Sequence, residues 1–350
     1  MTLTKDDAEA LTPLPAVACF GEMLLRLSAP DSERLLQSAR LTVRFGGAEA
    51  NVAVSLASLG HPARMITALP DNAIGQAAAG ELNRQGVDAR FVVSRAGRMG
   101  LYFLTPGAVV RPSDVLYDRA DSVFAQTEAE AFGFDAALAG CGWLHLSGIT
   151  PAVSANAAQA ALMAVFTAQE MGLSVSFDGN YRAKMWAAWG GQAAEVLREL
   201  IGGSDLLFGN EMDIGLALGR SFDEPNPVMR RQQAAAAAFE AFPRLKRICC
   251  TFRTEHSNSR HEISAMMATR DALHLTPIAF LEGIVDRIGT GDAFAAGVLH
   301  GLSSGQDDVR ALHFGWAACA YKHSIPGDFN LASEADIEDV LSGSGVHVRR

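Results

Sequence analysis

The sequence predicts an α/β fold: a doubly wound, mainly parallel central sheet flanked by helices, with a small β-sheet lid. Short apolar runs of strand length recur along the chain, as at 16–20 and 173–177, and segments with helical spacing such as 155–171 separate them. Strands joined by helices of this length pair in parallel. Two sections, at about 23–45 and 98–125, instead have β-like alternation with Pro and Gly turns and no crossover helix. These two sections predict the lid.

The predicted elements follow one another in a regular order. Each strand is an apolar run bounded by turn-forming residues. The predicted strands are 16–20, 64–69, 144–148, 173–177, 205–208 and 247–252. The helices have small or apolar residues at helical spacing and commonly end at a glycine, as at Gly60 and Gly172. The predicted helices are 48–59, 75–85, 155–171, 193–200 and 232–242, and another begins near Asp292.

The chain divides into a tail and one domain. Residues 1–15 include acidic side chains and lack the apolar h-region of a secretory signal, so we expect a flexible tail. The whole chain has 350 residues, of which 49% are hydrophobic and 19% are charged. This length is enough for one large α/β domain with a substantial core, or for two smaller domains, and we expect one domain over 16–350.

Composition and charge exclude several classes of partner. The formal charge is −10 and basic residues nowhere form a long run, so we expect no nucleic-acid partner. No stretch approaches the roughly 18 uninterrupted apolar residues of a membrane span, so we expect no membrane partner. The five cysteines have no metal-ligand spacing and lie in apolar segments. We therefore expect buried, reduced thiols and a cytoplasmic location.

A glycine turn opens a helix in the C-terminal third of the chain. Residues 283–301 read Gly-Ile-Val-Asp-Arg-Ile-Gly-Thr-Gly-Asp-Ala-Phe-Ala-Ala-Gly-Val-Leu-His-Gly. Backbone N–H groups at such a turn can converge on an anion, and the helix dipole adds to the attraction. Asp292, in the first turn, can accept a proton from a nucleophile held at the same place. The alternative is that Asp292 only caps the helix.

A second glycine turn opens a helix near the N-terminus, in the sequence Phe-Gly-Gly-Ala-Glu-Ala-Asn at 45–51. Glycines without side chains let a ligand lie against the backbone. Asn51 can then exchange hydrogen bonds with hydroxyl groups. The alternative is a turn without a ligand.

Together the two motifs resemble the signatures of the ribokinase-like (pfkB) carbohydrate kinases, in the same order and at a similar separation. These signatures are a GG–AN element, here at 46–51, and a D-x-x-G-x-G-D element, here at 286–292. The resemblance covers about 16–330 and is more specific in the 2-keto-3-deoxygluconate kinase branch. Segments similar to that branch are GLYFL at 100–104, LYDRADS at 116–122, LHLSGIT at 144–150, FDGNYRAKMW at 177–186 and KHSIPGDFN at 322–330.

The resemblance implies an ATP-dependent kinase that phosphorylates a sugar acid. Asp292 would be the base that takes the proton of the acceptor hydroxyl, and the amides around Gly289, Thr290 and Gly291 would stabilise the phosphoryl group in flight. The implied substrate is 2-keto-3-deoxygluconate, converted to its 6-phosphate. The galactonate epimer, another sugar such as fructose, and a non-catalytic sugar-acid-binding homologue are the alternatives.

The resemblance also implies a substrate site made of Gly47, Asn51, Tyr102, Tyr117, Arg119 and Arg182. Two arginines in an acidic protein favour an acidic sugar, because Arg pairs with carboxylates through a planar fork. As alternatives, Arg119 forms a surface ion pair with Asp118 or Asp121, Arg182 covers the start of a helix, and the tyrosines are lid packing.

For the nucleotide, the resemblance implies Mg²⁺ as a cofactor and contacts from Asn210, Thr251, Gly289 and Gly291. Asn210 and Asp213 resemble an N-x-x-E element that orients the metal–water shell. Asp stands here for Glu, with Glu211 as a residue that could compensate, and the alternative is a polar helix start. Asp286 and neighbouring carbonyl oxygens are further candidates for holding a monovalent cation, as some relatives do.

Two features depart from the family's pattern. Relatives commonly have a turn of T-x-G-x-x-G type over the nucleotide, whereas 251–261 contains no glycine. We expect an exposed loop there, in which Arg253 and Arg260 could contact phosphates. Arg287 stands where many relatives have Thr.

Two further expectations concern histidines and assembly. His145 and His323 lie near strand or helix ends without a metal-ligand partner at short spacing, so we expect core or pocket-lining side chains. Relatives often pair their lids into a dimer, because a small sheet with an exposed apolar face would otherwise favour aggregation. We therefore expect a homodimer through the lid.

Overall fold

The computed structural model describes residues 14–343, so most of the predicted tail lies outside the described residues. Its strands are β1 (Ala16–Phe20), β2 (Leu24–Ser28), β3 (Thr42–Gly46), β4 (Ala63–Pro70), β5 (Asp88–Arg95), β6 (Leu101–Thr105), β7 (Asp114–Asp118), β8 (Cys141–Ser147), β9 (Ser174–Asp178), β10 (Leu206–Phe208), β11 (Arg247–Ser257), β12 (Arg260–Ala268), β13 (Leu273–Leu275) and β14 (Ala279–Glu282). Its α-helices are α1 (Ala48–Ser58), α2 (Ala73–Arg84), α3 (Val123–Gln126), α4 (Phe134–Leu138), α5 (Ile149–Ala152), α6 (Ala155–Glu170), α7 (Ala183–Trp189), α8 (Ala193–Gly202), α9 (Glu211–Leu218), α10 (Pro227–Ala241), α11 (Thr290–Ser303), α12 (Asp308–Lys322) and α13 (Glu334–Ser342).

The main sheet has β1 near its middle. The strand order is β13-β12-β11-β10-β9-β8-β1-β4-β5, with β14 paired to β12. Pairs from β11 through to β5 are parallel, whereas β12 is antiparallel to β11, β13 and β14. The predicted doubly wound, mainly parallel sheet is confirmed. The winding reverses between β1 and β8, and in such sheets ligands bind outside the carboxyl ends of the strands at that point.

A separate four-stranded sheet, in the order β3-β2-β6-β7, combines strands from both predicted lid sections. Its outer pairs are antiparallel, and its central pair, β2 with β6, is parallel. After β2, the chain forms β4 and β5 of the main sheet before it returns to the lid as β6. This long connection lets β2 and β6 run parallel, whereas a hairpin joins only antiparallel strands. This sheet stands beside the carboxyl edge of β1, and Tyr102 from β6 lines a cavity there.

Small and aromatic residues bring the helices close to the sheet. Alanines along one face of α6 are buried, so the helix packs closely against the strands. Phe20 of β1 makes edge-to-face contacts with Phe132 and Phe134, whose ring centroids lie 4.9 and 5.0 Å away. These contacts fix the strand whose carboxyl end leads into the site.

The glycine-free stretch at 251–261 is a long β-hairpin, so the expectation of an exposed loop was wrong. β11 continues to Ser257 and β12 begins at Arg260, with an antiparallel ladder between them. Without glycine or proline, nothing interrupts the extended backbone beyond Phe252. Arg260 pairs across the surface with Glu282 at 3.3 Å. It is therefore not the phosphate contact considered from the sequence.

Most of the cysteines are buried, as predicted. All five cysteines are free, four of them buried and Cys141 half-buried. Burial raises the pKa of the Cys249 thiol well above its usual value, so that thiol stays protonated at neutral pH. Between residues 14 and 343, no helix is both long and apolar enough to cross a bilayer.

Several histidines are buried in the neutral form, as expected for His145 and His323. His145 Nδ1 lies 3.0 Å from Ser176 Oγ, and His323 Nδ1 lies 2.8 Å from the Cys319 carbonyl oxygen. Burial lowers the pKa of His145 to about 3 and that of His323 to about 4. Burial, with the nearby His300, also lowers the pKa of His61 to about 4.

We expect the protein to lose stability in acid through these histidines. Folding lowers the pKa of His61 from 6.5 to about 4, so the unfolded chain binds the proton more tightly and stability declines as pH falls through that range. His61 alone should cost about 2 kcal/mol of unfolding free energy by about pH 5. The free energies of unfolding of the wild type and of His61→Gln, measured with urea, should therefore differ less at pH 5 than at pH 7. A difference independent of pH would contradict this expectation.

Candidate active site

Polar side chains at or just beyond the ends of three strands meet at the carboxyl edge of the main sheet. Glu22 follows β1, Asp178 ends β9, and Asn210 follows β10. Two adjoining cavities open at this edge. The first, of about 340 Å³, is lined by Asn51 and Asp292, and the second, of about 330 Å³, is lined by Asn210 and Thr251. The two cavities share the residues Asp178, Asn180, Arg182 and Gly291.

The predicted anion-binding turn forms the wall between these cavities. Gly289 is the N-terminal cap of α11 and has φ of 81°, a conformation that favours glycine. A Cβ atom at this position would lie 2.0 Å from the Asp328 carbonyl oxygen. The first-turn amides of α11, including those of Thr290 and Gly291, have no partner within the helix, and both residues line the first cavity. The turn therefore has a backbone geometry that can bind an anion.

Asp292 lies in the first turn of α11 and lines the first cavity. Asn51 Nδ2 donates a hydrogen bond of 2.6 Å to Asp292 Oδ2. Burial, with smaller contributions from Glu49 and Asp328, raises the pKa of Asp292 to about 7, while Asn51 and Lys322 act in the opposite direction. A carboxyl with that pKa can exchange a proton near neutral pH.

The second glycine turn places Asn51 beside Asp292. Gly47 has φ of 145°, and a Cβ there would lie 2.3 Å from the Glu22 carbonyl oxygen, so only glycine fits. Buried Glu49 holds the start of α1 against β8: its Oε1 accepts hydrogen bonds from the Ser147 amide and hydroxyl and from Thr150 Oγ1, at 2.7 to 2.9 Å. These contacts leave Asn51 Nδ2 directed at the carboxylate.

Arg119 lies in the first cavity, but its ion pair differs from the one considered from the sequence. Its Nε donates to Glu22 Oε2 at 2.7 Å, and both side chains are buried. Asp118 instead pairs with Arg98 at 2.8 Å. The surface pair with Asp118 or Asp121 is therefore wrong, because β7 and the start of α3 turn Arg119 inward to Glu22.

The two lid tyrosines lie on the same side of the first cavity. The Tyr102 hydroxyl donates to Asp328 Oδ1, and the side chain is buried. Tyr117 lies on the neighbouring strand with its ring centroid 6.1 Å from that of Tyr102, and it remains 43% exposed. Tyr117 can therefore reach a ligand, whereas Tyr102 also connects the lid to the 322–330 segment.

Arg182 is the cation at the junction of the cavities. It precedes α7, lines both cavities and, among residues 14–343, makes no ion pair within 4 Å. It therefore lies at a helix start, as the alternative had it, while its guanidinium faces the cavities. Burial, followed by the charges of Asp292 and Asp213, raises the pKa of Asp178 well above its usual value, and the charge of Arg182 acts against this.

The second cavity contains the predicted nucleotide residues. Asn210 caps α9, and Asp213 Oδ2 accepts the Asn210 amide at 3.0 Å, which forms a capping box. Thr251 lies opposite on β11. Glu211 is paired with Arg230 and Arg231 at 2.9 and 3.1 Å, so it does not replace the missing Glu in the cavity.

Arginines from the hairpin and the turn add positive charge beside the anion site. Arg253 Nη2 donates to Thr290 Oγ1 at 2.9 Å and lines the first cavity. Arg287 lies in the same wall and pairs with Glu255 at 3.1 Å. Both arginines replace small residues of the usual family pattern, so two guanidinium groups lie beside the glycine turn.

Comparison with known proteins agrees with this arrangement. The model of the pfkB family carbohydrate kinases matches residues 15–242 and 263–328. The chain belongs to the pfkB family of carbohydrate kinases. It is therefore a phosphotransferase that acts on a sugar hydroxyl. The unmatched stretch, 243–262, contains β11 and the hairpin turn, where the sequence lacks the usual glycines.

Individual relatives extend over almost the whole kinase. A 2-dehydro-3-deoxygalactonokinase of Haloferax volcanii is 31% identical over 95% of this chain and 98% of its own length. A 2-dehydro-3-deoxygluconokinase of Bacillus subtilis is 26% identical over 89% of this chain and 90% of its own. The crystal structure of a 2-dehydro-3-deoxygluconokinase from Thermotoga maritima superposes with a TM-score of 0.88 at 37% identity, covering 94% of this chain and 99% of that one.

The kinase does not offer Asp286 as a free ligand for a monovalent cation. Asp286 Oδ2 accepts hydrogen bonds from Arg26 Nη2 at 2.7 Å and from the Gly327 amide at 2.9 Å. Its Oδ1 accepts the Ile288 amide at 3.0 Å. Both carboxylate oxygens thus face N–H donors, so the Asp286 side chain does not fit the cation considered from the sequence.

Sequence reasoning missed several charged residues of the site. Asp178, Asp328 and Glu22 line the first cavity, and Lys322 lies fully buried behind the glycine turn. A signal was available for Asp178, since a carboxylate directly after a buried parallel strand commonly faces a ligand. The others acquire their place through contacts between distant segments.

Proposed function

We propose that this chain is an ATP-dependent kinase of a sugar acid, converting 2-keto-3-deoxygluconate to its 6-phosphate with Asp292 as the general base. The observation that carries the proposal is the Asp292–Asn51 hydrogen bond of 2.6 Å, beside the glycine turn and open to the first cavity. A base and an anion-binding turn around one reacting oxygen are what transfer of a phosphoryl group to an alcohol needs.

Asp292 is the residue that accepts the proton of the sugar hydroxyl. The sugar hydroxyl binds in the first cavity against Asp292 and gives up its proton as its oxygen attacks the phosphoryl group. Because the pKa of Asp292 is about 7, the carboxylate is available at neutral pH and still basic enough to take the proton. The hydrogen bond from Asn51 keeps one carboxylate oxygen fixed while the other receives the proton.

Charge on the phosphoryl group is stabilised by the turn and its cations. The amides of Thr290 and Gly291 point to the place where the transferred group passes, and the dipole of α11 favours negative charge there. Arg253, bonded to Thr290 Oγ1 at 2.9 Å, adds a full positive charge next to these amides. Positioned donors of this kind stabilise a loose transition state without covalent catalysis.

The second cavity suits the nucleotide. Asn210, Thr251 and Gly291 line it, and Asp178 and Asp213 offer carboxylates at its floor. Bound ATP supplies the phosphoryl group, and Mg²⁺ held largely by its phosphates neutralises their charge. The capping box places Asp213 close to the backbone of Asn210, so its role towards the metal is through water. No cluster of three or more His, Cys, Asp or Glu side chains is arranged among residues 14–343 to hold a metal alone.

Arg182 is the proposed determinant of the acidic substrate. Arg119 already pairs with Glu22, so of the two arginines that the resemblance assigns to the substrate, Arg182 is the one left to bind the sugar carboxylate. In a coupled ADP-release assay, we expect faster turnover of 2-keto-3-deoxygluconate than of fructose. Arg182→Gln should lower kcat/KM for the sugar acid by about 10- to 100-fold, because it removes a charge-assisted hydrogen bond. The same change should leave any fructose turnover nearly unaltered, and Arg182→Lys should lie between.

Faster turnover of fructose than of every keto acid would remove the argument from Arg182. The galactonate epimer is a second candidate substrate, favoured by the name of the Haloferax relative at 31% identity. The two acids differ in the orientation of one hydroxyl, so the same assay, run with both epimers, decides between them. A non-catalytic homologue would bind the acid without releasing ADP.

The lid is the proposed surface of a homodimer. Val43 on β3 and Leu116 on β7 are each 57% exposed, on the outer strands of the lid sheet. We expect light scattering at micromolar concentration to give the mass of two chains, and Val43→Glu with Leu116→Glu to give one. Phe166→Glu, a change at a side chain that is 63% exposed on α6, is the matched control and should leave the dimer intact. A monomeric wild type would contradict the expectation.

A further inference from the structure

Arg26 of the lid strand β2 is buried among carboxylates behind the glycine turn. All three nitrogen atoms of its guanidinium donate hydrogen bonds: Nε to Ser28 Oγ at 2.7 Å, Nη1 to Asp328 Oδ2 at 2.8 Å and Nη2 to Asp286 Oδ2 at 2.7 Å. The exposed fractions of the Arg26, Asp286 and Asp328 side chains are 5%, 10% and 2%. A charge this deeply buried is retained only with such complete pairing.

The two carboxylates belong to the segments that shape the catalytic turn. Asp286 opens the turn and accepts the Ile288 amide at 3.0 Å. Asp328 accepts the Tyr102 hydroxyl, and its backbone carbonyl lies against Gly289. Arg26 therefore connects a lid strand, the anion-binding turn and the 322–330 segment through one side chain.

The position of this guanidinium is where an inorganic cation would otherwise be needed. Two buried carboxylates so close to one positive centre repel each other strongly if that centre is removed. Lys322 is nearby, but its Nζ donates to the Ile325 carbonyl oxygen at 3.0 Å and makes no ion pair within 4 Å among the described residues. Arg26 supplies the charge, and it also satisfies the oxygen atoms that K⁺ or Na⁺ would coordinate.

We propose that Arg26 is the built-in cation of this turn: it neutralises Asp286 and Asp328, holds the anion-binding amides in register with Asp292, and makes phosphoryl transfer independent of K⁺ and Na⁺. The proposal rests on the kinase function given above. Arg26 does not touch the reacting atoms, so it is a positioning residue, and its contribution is the fixed geometry of the turn.

The first test uses the wild-type enzyme. Its kcat and its thermal unfolding midpoint are measured in chloride salts of K⁺, Na⁺ and tetramethylammonium at equal ionic strength. Both quantities should be the same in the three salts, because the site already holds its cation. Activation of the wild type by K⁺ over tetramethylammonium would overturn the proposal.

The second test replaces the guanidinium. Arg26→Gln should lower kcat by about 10²-fold in tetramethylammonium, because loss of the cation lets the turn shift relative to Asp292. K⁺ should then restore part of kcat and raise the unfolding midpoint of this variant, which tetramethylammonium is too large to do. Arg26→Lys keeps the charge and should need no added cation.

Arg64→Gln is the matched control. Arg64 also forms a largely buried pair, with Asp88 at 3.0 Å, but at the amino end of β4, away from the site. It should lose stability without gaining any preference for K⁺. A folded Arg26→Gln enzyme with wild-type kcat in tetramethylammonium would overturn the proposal, as would a loss that K⁺ relieves in neither kcat nor midpoint.

Two further outcomes keep the test decisive. If Arg26→Gln does not fold in any salt, Arg26→Lys and the wild-type salt series still decide: dependence of either on K⁺ counts against the proposal, and independence of both supports it. If the wild type phosphorylates no sugar, the proposed function fails. The effects of K⁺ on the unfolding midpoints would nevertheless still test whether Arg26 replaces a bound cation.

Discussion

Replacement of Asp292 by Asn should lower kcat by about 10²- to 10⁴-fold while sugar binding survives. The amide keeps the shape of the carboxyl and remains close to Asn51 and the glycine turn, but it cannot take the hydroxyl proton. Single-turnover ADP release measures the loss, and calorimetric titration with the sugar acid measures binding. Asp308→Asn is the matched control, since Asp308 lies in the first turn of α12 and pairs with Arg247 at 2.6 Å, outside both cavities.

The pH dependence provides a second view of the same residue. Folding raises the pKa of Asp292 from 3.8 to about 7, so kcat/KM should rise with pH through about 7 and then level off as the base becomes ionised. The folded state holds this proton more tightly than the unfolded chain, so the group's contribution to stability declines as pH rises through that range. Asp292→Asn should therefore unfold at no lower a temperature than the wild type above pH 7. Undiminished phosphorylation by this variant would show that another group is the base.

Replacement of Gly289 by Ala should remove most activity and also destabilise the fold. The new Cβ would lie 2.0 Å from the Asp328 carbonyl oxygen, and the residue would keep a φ of 81°. Left-handed backbone at a non-glycine residue costs about 1–3 kcal/mol, and the clash moves the turn as well. Displaced amide donors should lower kcat by about 10²- to 10³-fold. Urea unfolding and the coupled assay measure the two effects.

Gly291→Ala is the control for the stability part of this prediction. A Cβ at Gly291 meets nothing within 4 Å, and its φ is not positive. Alanine is also favoured over glycine inside a helix by about 1 kcal/mol. The Gly291 variant should therefore be at least as stable as the wild type. If both variants lost the same free energy of unfolding, the clash with Asp328 would not be the cause of the destabilisation by Gly289→Ala.

The predicted site residues that the structure brings to the first cavity include those whose chemistry is local. Gly289 and Asp292 could be assigned because a glycine bend before a helix has the same consequences in any fold. Asn51 was placed at the site for contacts with the sugar, whereas its Nδ2 is bonded to Asp292. The relevant distance joins residues on α1 and α11, which no local pattern contains.

Other errors have the same origin. As an alternative to a substrate contact, the sequence suggested a surface partner for Arg119, and the fold provides buried Glu22. It suggested a cation at Asp286, and the fold provides Arg26, 260 positions earlier in the chain. In each case, a charged residue was assigned to a nearby sequence neighbour or to a ligand, although a distant strand brings the true partner.

The sequence by itself determined the alternation of strands and helices, the two glycine turns and the candidate base, because hydrophobic periodicity and glycine conformation act over a few residues. Only the tertiary structure decided which charges meet: Asn51 with Asp292, Glu22 with Arg119, and Arg26 with Asp286 and Asp328. Buried charges must be paired. Their partners lie at the ends of the strands that the winding of the sheet brings to the same edge.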